Sequence, residues 1–423
     1  MLKNKVLQQK NERDQMLSRS YITREKLSVF KKSLKSGLVK VITGPRRAGK
    51  SVFAFLLLRG QEFAYLNFDD ESLLKENDYD KFLAALLEVY PGCNTIFFDE
   101  IQNLPNWELF VNKLHRRGYN LVITGSNAHL LSSELSSSLT GRYAGVEILP
   151  FSFGEFITCR NAKIDLLSPA GKAALLVLLD EYLGQGGFPE VASGIFDAKS
   201  YLGTLFDAIL LKDVVRRFRV RFSRQIYDLA QYLVANFASE FSYSSLRKAL
   251  GLRSTATVVK YVRYLEESYL VFVLSRFSFK LKEQMKAPKK AYFVDNGFIA
   301  ARAFQFSQNI GRFMENAVFV ELLRRGYTLN ESLFYYKTRN NREVDFCLRE
   351  GLKVSRLIQV CFDDSSPQVH SREVKALVEA GEELKCSSLT VLTWDMESKD
   401  TVKGIVVNFV PFWKWLLDED KKL

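Results

Sequence analysis

The chain has 423 residues, of which 47% are hydrophobic and 26% charged, and its formal net charge is +12. This length and composition predict two or three globular domains with substantial cores. No uncharged apolar run reaches about 18 residues, and no apolar segment lies near the start, so we expect neither a transmembrane helix nor a secretory signal. Five scattered cysteines and three histidines argue against a zinc site and favour reduced thiols in the cytoplasm.

The positive charge is concentrated in one segment of the chain. From Leu210 to Lys290 there are 17 lysines and arginines against 6 acidic residues, an excess of 11 that accounts for nearly all of the net charge. Such a basic block indicates a polyanionic partner, with nucleic acid as the first expectation and a membrane surface as the second. The alternative is a solvated basic face without a partner.

A phosphate-binding loop is predicted at residues 44–51. The segment follows the pattern G-x-x-x-x-G-K-S, with a β-branched, strand-like run before it and an apolar, helix-like run after it. Glycines allow the backbone to approach a phosphate, and the free amides and the helix dipole then face the anion. The residues expected to bind ATP are Gly44, Pro45, Arg46, Arg47, Ala48, Gly49, Lys50, Ser51 and Val52.

Within this loop, two side chains have specific roles. Lys50 is expected to reach the β- and γ-phosphates of ATP, and Ser51 to bind Mg²⁺ through its hydroxyl. Arg46 and Arg47 are less typical of such loops, and could contact phosphate, a neighbouring subunit or only solvent.

A second motif supplies two acids for the same site. Residues 95–98 have the composition of a buried strand, and Asp99 and Glu100 follow them. Asp99 is expected to hold Mg²⁺ and Glu100 to polarise the attacking water as a general base. The alternative is that these acids only cap the next helix.

Two further segments contain candidate residues for contacting the γ-phosphate. Another buried strand ends at Ser126 and Asn127, either of which could sense the phosphate or simply cap the following helix; we assign Asn127 the catalytic role. Arg142 is a candidate arginine finger, which would act in trans in a homo-oligomer, and a structural salt bridge is its alternative role.

The middle of the chain predicts two helical regions. Residues 151–224 contain few strand signals and fit a helical lid, and residues 225–304 resemble a winged helix-turn-helix with a basic wing. Its second helix and wing would contact double-stranded DNA, unless this region packs on the ATPase or on a protein partner. The candidate DNA-binding residues are Thr255, Thr257, Lys260, Arg263, Lys286 and Lys289, with Lys280, Lys282 and Lys290 as further wing lysines.

The C-terminal region, residues 305–423, shows the pattern of a PD-(D/E)XK nuclease. Glu315 lies on a predicted helix, Asp345 in a strand and Gln359 at the position of a second metal carboxylate. Cys361 occupies the position where such nucleases carry a lysine that activates water. We therefore expect a nuclease-like fold whose activity is lost.

Several segments together resemble one known family. They include G-P-R-R-A-G-K-S, F-F-D-E-I-Q-N, I-T-G-S-N-A and L-T-G-R-Y in the first half, and G-G-F-P-E and G-R-F-M-E-N later. The chain is similar over most of its length to prokaryotic AAA+-type ATPases that end in a DUF4143 domain. The resemblance implies an ATPase core and leaves the cellular role open.

The sequence therefore predicts an α/β protein with a P-loop AAA+ core over residues 1–150, followed by the lid, the winged helix and the nuclease-like domain. The leading hypothesis is a cytoplasmic Mg²⁺-dependent ATPase that drives a switch or motor acting on DNA, without a membrane partner. An ATP-dependent protein-interaction switch and an ATP-regulated DNA nuclease are the alternatives.

Overall fold

The structure is a computed structural model that describes residues 2–76, 78–128, 141–303, 310–362 and 367–418. The chain divides into two compact units. The first comprises Met1–Phe151 with Glu267–Tyr269, and the second comprises Ser152–Glu266 and Leu270–Leu423.

The first unit is built on a parallel sheet of five strands in the order β2-β3-β4-β1-β5. Because β4 lies between β1 and β3, the polar end of β4 lies between the ends of the strands that carry the two phosphate-site motifs. The strands are β1 (Val39–Thr43), β2 (Ala64–Asn67), β3 (Thr95–Asp99), β4 (Asn120–Gly125) and β5 (Tyr143–Glu147).

The helices of the first unit cover this sheet and bury nearly continuous apolar strands, as parallel sheets require. They are α1 (Leu2–Ser18), α2 (Leu27–Lys31), α3 (Lys50–Leu58), α4 (Tyr79–Val89) and α5 (Trp107–Arg116). The start of α4 is capped by Asp78, whose carboxylate accepts the amide of Asp80 at 3.1 Å.

The second unit begins with helices and has no strand between residues 152 and 224, all of which the structure describes. These helices are α6 (Phe153–Cys159), α7 (Pro169–Gln185), α8 (Pro189–Ala192) and α9 (Ala198–Ala208), followed by a π-helical segment, Ile209–Arg216.

A three-stranded antiparallel sheet follows, in the order β6-β8-β7. Chain order here is helix, strand, two helices, strand, short helix and strand. The elements are α10 (Ser223–Ala235), β6 (Glu240–Phe241), α11 (Tyr243–Ala249), α12 (Thr255–Glu267), β7 (Val271–Ser275), α13 (Leu281–Lys286) and β8 (Lys289–Phe293).

The remainder forms a mixed sheet of six strands in the order β13-β14-β12-β11-β10-β9. Its helices are α14 (Asn296–Arg302), α15 (Ile310–Arg324), α16 (Pro367–Leu384) and α17 (Phe412–Leu417). Its strands are β9 (Leu333–Lys337), β10 (Glu343–Glu350), β11 (Lys353–Cys361), β12 (Leu389–Thr393), β13 (Ser398–Val402) and β14 (Ile405–Pro411).

Buried hydrogen bonds connect the small sheet to the helix that precedes the large one. The Asn316 side chain accepts the amide of Phe293 at 2.8 Å and donates to the Phe293 carbonyl at 3.0 Å. At the sheet edges, Asn330 bridges to β7 in the same way through Ser275 and Val273. Apart from Glu267–Tyr269, the residues predicted as lid, winged helix and nuclease-like domain belong to this second unit.

A glycine turn is also fixed by contacts inside this unit. Gly186 has φ +78°, and a Cβ there would lie 1.7 Å from the Asp295 carboxylate. Asp295 accepts the amides of Gly187 at 2.7 Å and Gly297 at 2.8 Å, and so ties the turn to the start of α14. This close approach explains why the motif G-G-F-P begins with glycine.

The predicted fold class is confirmed for the parallel-sheet core and for a mixed α/β C-terminal region. Among the described residues, no helix is both long and apolar enough to cross a bilayer.

Candidate functional site

The predicted phosphate-binding loop lies at the carboxyl end of β1 and leads directly into α3. Gly44 has φ +143°, and a Cβ there would lie 2.0 Å from the Ile148 carbonyl oxygen. Gly49, with φ +90°, immediately precedes α3. Both positions therefore require glycine, for close packing at the first and for backbone conformation at the second. The loop forms a cradle in which the N-terminal amides of α3 are available to an anion.

An arginine outside the motif holds this loop in place. The buried guanidinium of Arg24 donates to the Ala48 carbonyl at 2.9 Å and to the Leu149 carbonyl at 2.6 Å. It thereby fixes the back of the loop to the segment that follows β5. Nothing in the local sequence around Arg24 indicates this role.

Asp99 lies beside the loop, at the end of β3. The Ser51 hydroxyl donates to its carboxylate at 2.9 Å and the Tyr65 hydroxyl at 3.3 Å, and the Thr124 hydroxyl also donates to it. Burial raises the pKa of Asp99 to about 6, and the Glu100 carboxylate adds to this rise. The two residues predicted to bind Mg²⁺, Ser51 and Asp99, are thus in direct contact.

Lys50 and Glu100 form a buried ion pair next to Asp99. The Lys50 ammonium lies 3.3 Å from the Glu100 carboxylate and 3.1 Å from the Pro45 carbonyl, contacts that phosphate oxygens could replace. Burial by itself would raise the pKa of Glu100, but Lys50, Gln102 and Arg46 together hold it below its ordinary value. Glu100 is therefore an ionised carboxylate at neutral pH, as a water-polarising residue must be.

Gln102 connects Glu100 to the end of β4. Its amide donates to the Glu100 carboxylate at 2.6 Å and to the Ser126 hydroxyl at 3.2 Å. Asn127 is buried next to Ser126. The structure therefore brings both sensor candidates to the same edge of the sheet, and it places Ser126 in the hydrogen-bonded network of Glu100.

Arg142 is not brought together with these residues. It is exposed and precedes β5, and its carbonyl accepts the Val39 amide at 2.9 Å. Val39 begins β1, whereas the phosphate-binding loop follows the other end of that strand. At about 3.3 Å per residue, four residues separate the two edges of the sheet by roughly 13 Å.

Three polar residues of the site were missed by the sequence reasoning: Thr124, Gln102 and Tyr65. Thr124 reaches Asp99 only because β4 inserts between β1 and β3, which a local pattern cannot indicate. Gln102 offered a weak signal, since it is a polar residue two positions after the acidic pair.

In the second unit, the predicted DNA-binding residues of α12 lie mostly on one exposed helix face. Thr255, Lys260 and Arg263 are exposed, and Thr257 is half-buried. Lys286 is exposed at the end of α13, and Lys289 is half-buried with its ammonium donating to the Gln284 carbonyl at 3.0 Å.

Lys290 is not available to a phosphate, contrary to its place among the predicted wing lysines. It is 1% exposed, and its ammonium lies 2.7 Å from Glu315, 2.7 Å from Glu343 and 3.4 Å from Asp345. Burial alone would lower the pKa of Lys290, but these carboxylates raise it well above its ordinary value.

The predicted nuclease remnant is therefore centred on an ammonium group. Glu315 and Asp345 are both bound to Lys290, while Gln359 accepts the Asp345 amide at 3.2 Å and donates to Glu373 at 2.6 Å. In the part of the chain that the structure describes, no group of three or more histidine, cysteine or acidic side chains is arranged to hold a metal ion. The loss of nuclease activity stays a prediction.

Comparison with known families gives three matches along the chain. Residues 36–157 match an AAA domain, residues 177–309 match a domain of unknown function named DUF8612, and residues 310–415 match a domain of unknown function named DUF4143.

Full-length relatives occur in an archaeon and a bacterium. An uncharacterised protein of Methanocaldococcus jannaschii is 37% identical over 399 residues, which cover 90% of this chain and 88% of the relative. An uncharacterised protein of Haemophilus influenzae is 32% identical over 369 residues, which cover 82% and 88%. Among solved structures, the Walker-type ATPase of Pyrococcus abyssi aligns with 66% of this chain and 95% of its own, at 15% identity and a TM-score of 0.44.

Proposed function

Because this chain belongs to the family of prokaryotic ATPases that combine an N-terminal AAA domain with a C-terminal DUF4143 domain, we propose that it hydrolyses ATP with Mg²⁺ to drive a conformational change that acts on DNA. The observation that carries the ATPase part is the meeting of Lys50, Ser51, Asp99 and Glu100 around one glycine loop.

ATP fits the loop because of its shape and charge. Gly44 packs closely against the Ile148 carbonyl and Gly49 has φ +90°, so the loop backbone can fold around an anion, and the start of α3 offers free amides to the phosphates. Lys50 would then exchange its contact with the Pro45 carbonyl for phosphate oxygens. The exchange costs little, because a buried ammonium remains paired in both states.

Ser51 and Asp99 fit Mg²⁺, which prefers hard oxygen ligands. Bound there, the ion would neutralise negative charge on the phosphates. Glu100, released from Lys50 by the incoming phosphate, would accept a hydrogen bond from the attacking water. Gln102 would hold the Glu100 carboxylate in position and link it to Ser126, so that the two strand ends respond to the nucleotide together.

The DNA part of the proposal is supported by the order of elements around the small sheet. Helix, strand, two helices and a two-stranded wing is the order expected of a winged helix-turn-helix, and α12 would be its recognition helix. Its exposed Thr255, Lys260 and Arg263 are suited to contacting a groove and its phosphates. Lys286 adds an exposed cation on the wing, whereas Lys290 does not contribute.

The test of the ATPase part is phosphate release by the full chain and by a Lys50→Ala variant. Lys81→Ala, which removes an exposed lysine from the same unit, is the matched control. We expect Lys50→Ala to abolish turnover and Lys81→Ala to leave it unchanged. Hydrolysis by Lys50→Ala at the original rate would refute the proposal.

The DNA part is tested by measuring duplex affinity over a series of salt concentrations. Lys260→Ala should weaken binding for every sequence and lower the salt slope by about one. Lys199→Ala, an exposed lysine on α9, is the control. If duplex DNA neither binds nor stimulates ATP hydrolysis, the protein-interaction switch becomes the better explanation of the ATPase.

A further inference from the structure

A basic cleft lies between residues 276–287, which connect β7 to β8, and the edge strand β9. All of its lining residues belong to the second unit. Its volume is about 540 Å³, within the range of pockets that enclose a small ligand, roughly 300–1,000 Å³. One carboxylate, Glu283, contributes to its lining, and the Lys280 ammonium lies 3.2 Å from it. The cations that line the cleft are Arg276, Lys286, Lys337 and Arg339.

Part of this positive charge is not neutralised by the protein. Among the described residues, Arg276, Lys286 and Arg339 form no ion pair, although the Arg276 guanidinium donates to the Lys337 carbonyl at 3.3 Å. Lys337 is the exception, since its ammonium lies 2.7 Å from Glu240. The charge of Arg276 faces Glu283 and helps to lower the pKa of that carboxyl, and the Glu383 carboxylate accepts the Arg339 backbone amide at 3.0 Å. Lys286 and Arg339 are therefore the lining cations whose side chains have no ion-pair partner among the described residues, and they would favour an anionic ligand.

The cleft also contains an exposed aromatic ring on a rigid support. Phe279 is 72% exposed, an unusual environment for phenylalanine. Its ring lies edge-on to that of buried Phe277, with 5.0 Å between the ring centroids. The rings of Phe277 and Phe334 are likewise in contact, with their centroids 5.3 Å apart. The backbone here is fixed as well, because the Phe277 amide donates to the Tyr335 carbonyl at 2.7 Å.

We propose that this cleft binds single-stranded nucleic acid. An exposed ring beside unpaired cations matches the two parts of a nucleotide, because a base stacks on the ring while Lys286 and Arg339 contact the flanking phosphates. In a duplex, stacking covers the faces of the bases. Only an unstacked base of a single strand can therefore stack on the Phe279 ring. An acidic peptide would use the cations and leave the ring without a partner.

This site differs from the duplex surface proposed above, which uses the exposed face of α12. Lys286 belongs to both surfaces, so Phe279→Ala is the change that tests the cleft alone. The cleft also adjoins the remnant of the nuclease centre, since Lys337 lies 3.8 Å from Glu343, which is bound to Lys290.

The test is fluorescence anisotropy of a labelled 12-nucleotide oligothymidylate titrated with the full-length protein. Phe279→Ala and Lys286→Glu should each weaken binding at least about fivefold. Each has a matched control: Phe222→Ala removes another exposed phenylalanine outside the cleft, and Lys282→Glu makes the same charge change on the same helix. The controls should change affinity less than twofold.

Two results would overturn the proposal. In the first, Lys282→Glu is as harmful as Lys286→Glu and Phe279→Ala has no effect, which indicates diffuse electrostatics. In the second, an oligoglutamate of equal charge binds as tightly as the oligonucleotide and is equally weakened by Phe279→Ala, which indicates an acidic-peptide site. ATP hydrolysis of both variants and duplex binding of Phe279→Ala are expected to persist, and they separate failure of this site from failure of the proposed function.

Discussion

At the scale of single residues, Glu100 is held in an unusual conformation beside the phosphate-binding loop. Its φ is +50°, which is strained for a residue with a Cβ, and its amide donates to the Thr124 hydroxyl at 2.9 Å. Lys50 and Gln102 bind its carboxylate. These contacts aim an ionised carboxylate at the side of the loop where a terminal phosphate would lie.

We therefore expect Glu100→Gln to separate ATP binding from hydrolysis. The amide keeps the shape of the side chain but cannot accept a proton, so turnover should fall by roughly 100-fold or more while nucleotide affinity is retained. Phosphate release and binding of a fluorescent ATP analogue measure the two effects. Glu88→Gln, which changes an exposed glutamate, is the control, and equal loss of binding and turnover would contradict the assigned role.

Residues of this site were predictable where a short stretch of sequence indicates their role, and not where the role depends on contacts between distant segments. Lys50, Ser51, Asp99 and Glu100 were identified because their chemistry is encoded in short motifs next to apolar strands. Thr124 and Arg24 were not, since their contacts depend on strand order and on a chain return from a distant segment. The assignment of Asn127 as the phosphate sensor stays a prediction, since Ser126 and Asn127 are both buried at the end of β4.

At the scale of elements, Lys290 shows how strand pairing determines whether a lysine is available to a ligand or buried inside the protein. Neighbouring lysines on a β-like run predicted a row of phosphate contacts. In the structure β8 is the central strand of the small sheet, so Lys289 faces the wing and Lys290 faces the interior. Successive side chains of a strand point to opposite faces of the sheet. This alternation along β8, rather than composition, places Lys289 and Lys290 in different environments.

Lys290 should consequently be essential for stability and not for binding. Lys290→Met removes the ammonium and leaves Glu315 and Asp345 buried without their counter-charge, which we expect to cost about 3–5 kcal/mol of unfolding free energy. Urea denaturation measures this cost. Adding Glu315→Gln should recover part of it, because one buried charge is then removed; Lys282→Met, on the exposed wing, should change stability by less than about 0.5 kcal/mol. A fully stable Lys290→Met protein would contradict this account.

The contact between Asp295 and the glycine turn should make the second unit sensitive to pH. Burial raises the pKa of Asp295 to about 6, while the amides of Gly187 and Gly297 and the charge of Arg324 oppose this rise. Between about pH 4 and pH 6 the folded protein keeps the proton that the unfolded chain has lost, so this group favours the folded state less as pH increases. Tyr182 also faces it, and its burial-raised pKa keeps it neutral in this range.

Asp295→Asn removes this titration. The free energy of unfolding of the unmodified protein, relative to that of the variant, should therefore fall by roughly 2–3 kcal/mol between pH 4 and pH 6 and stay constant above pH 6.5. Urea titrations at several pH values measure it. Asp197→Asn, at the exposed cap of α9, controls for loss of a capping carboxylate. A difference that does not depend on pH would show that Asp295 is ionised throughout.

At the scale of the whole molecule, long-range contacts connect regions that the sequence predicts as separate. The lid, the winged helix and the nuclease-like domain after residue 150 stay predictions. Hydrogen bonds such as those between Asn316 and Phe293 join these regions into one unit. Such long-range pairings leave no local pattern in the sequence that could have predicted them.

The position of Arg142 connects catalysis to the oligomeric state of the protein. Within one chain it lies at the edge of the sheet opposite the phosphate-binding loop, so as an arginine finger it would have to serve the site of a neighbouring subunit. ATP hydrolysis per subunit should then increase with protein concentration.

Mixing two inactive variants gives the sharper test. Lys50→Ala lacks a working nucleotide site but retains its finger, and Arg142→Ala has the reverse defect. If the finger acts in trans, each variant alone should be nearly inactive, and their mixture should regain a substantial part of the activity, because some assemblies pair an intact site with an intact finger. Mixing Lys50→Ala with Glu100→Gln is the control, since both changes damage the same site and no pairing restores it. Full activity of Arg142→Ala alone would show that Arg142 is not a finger, and an inactive mixture of stable, associating subunits would exclude action in trans.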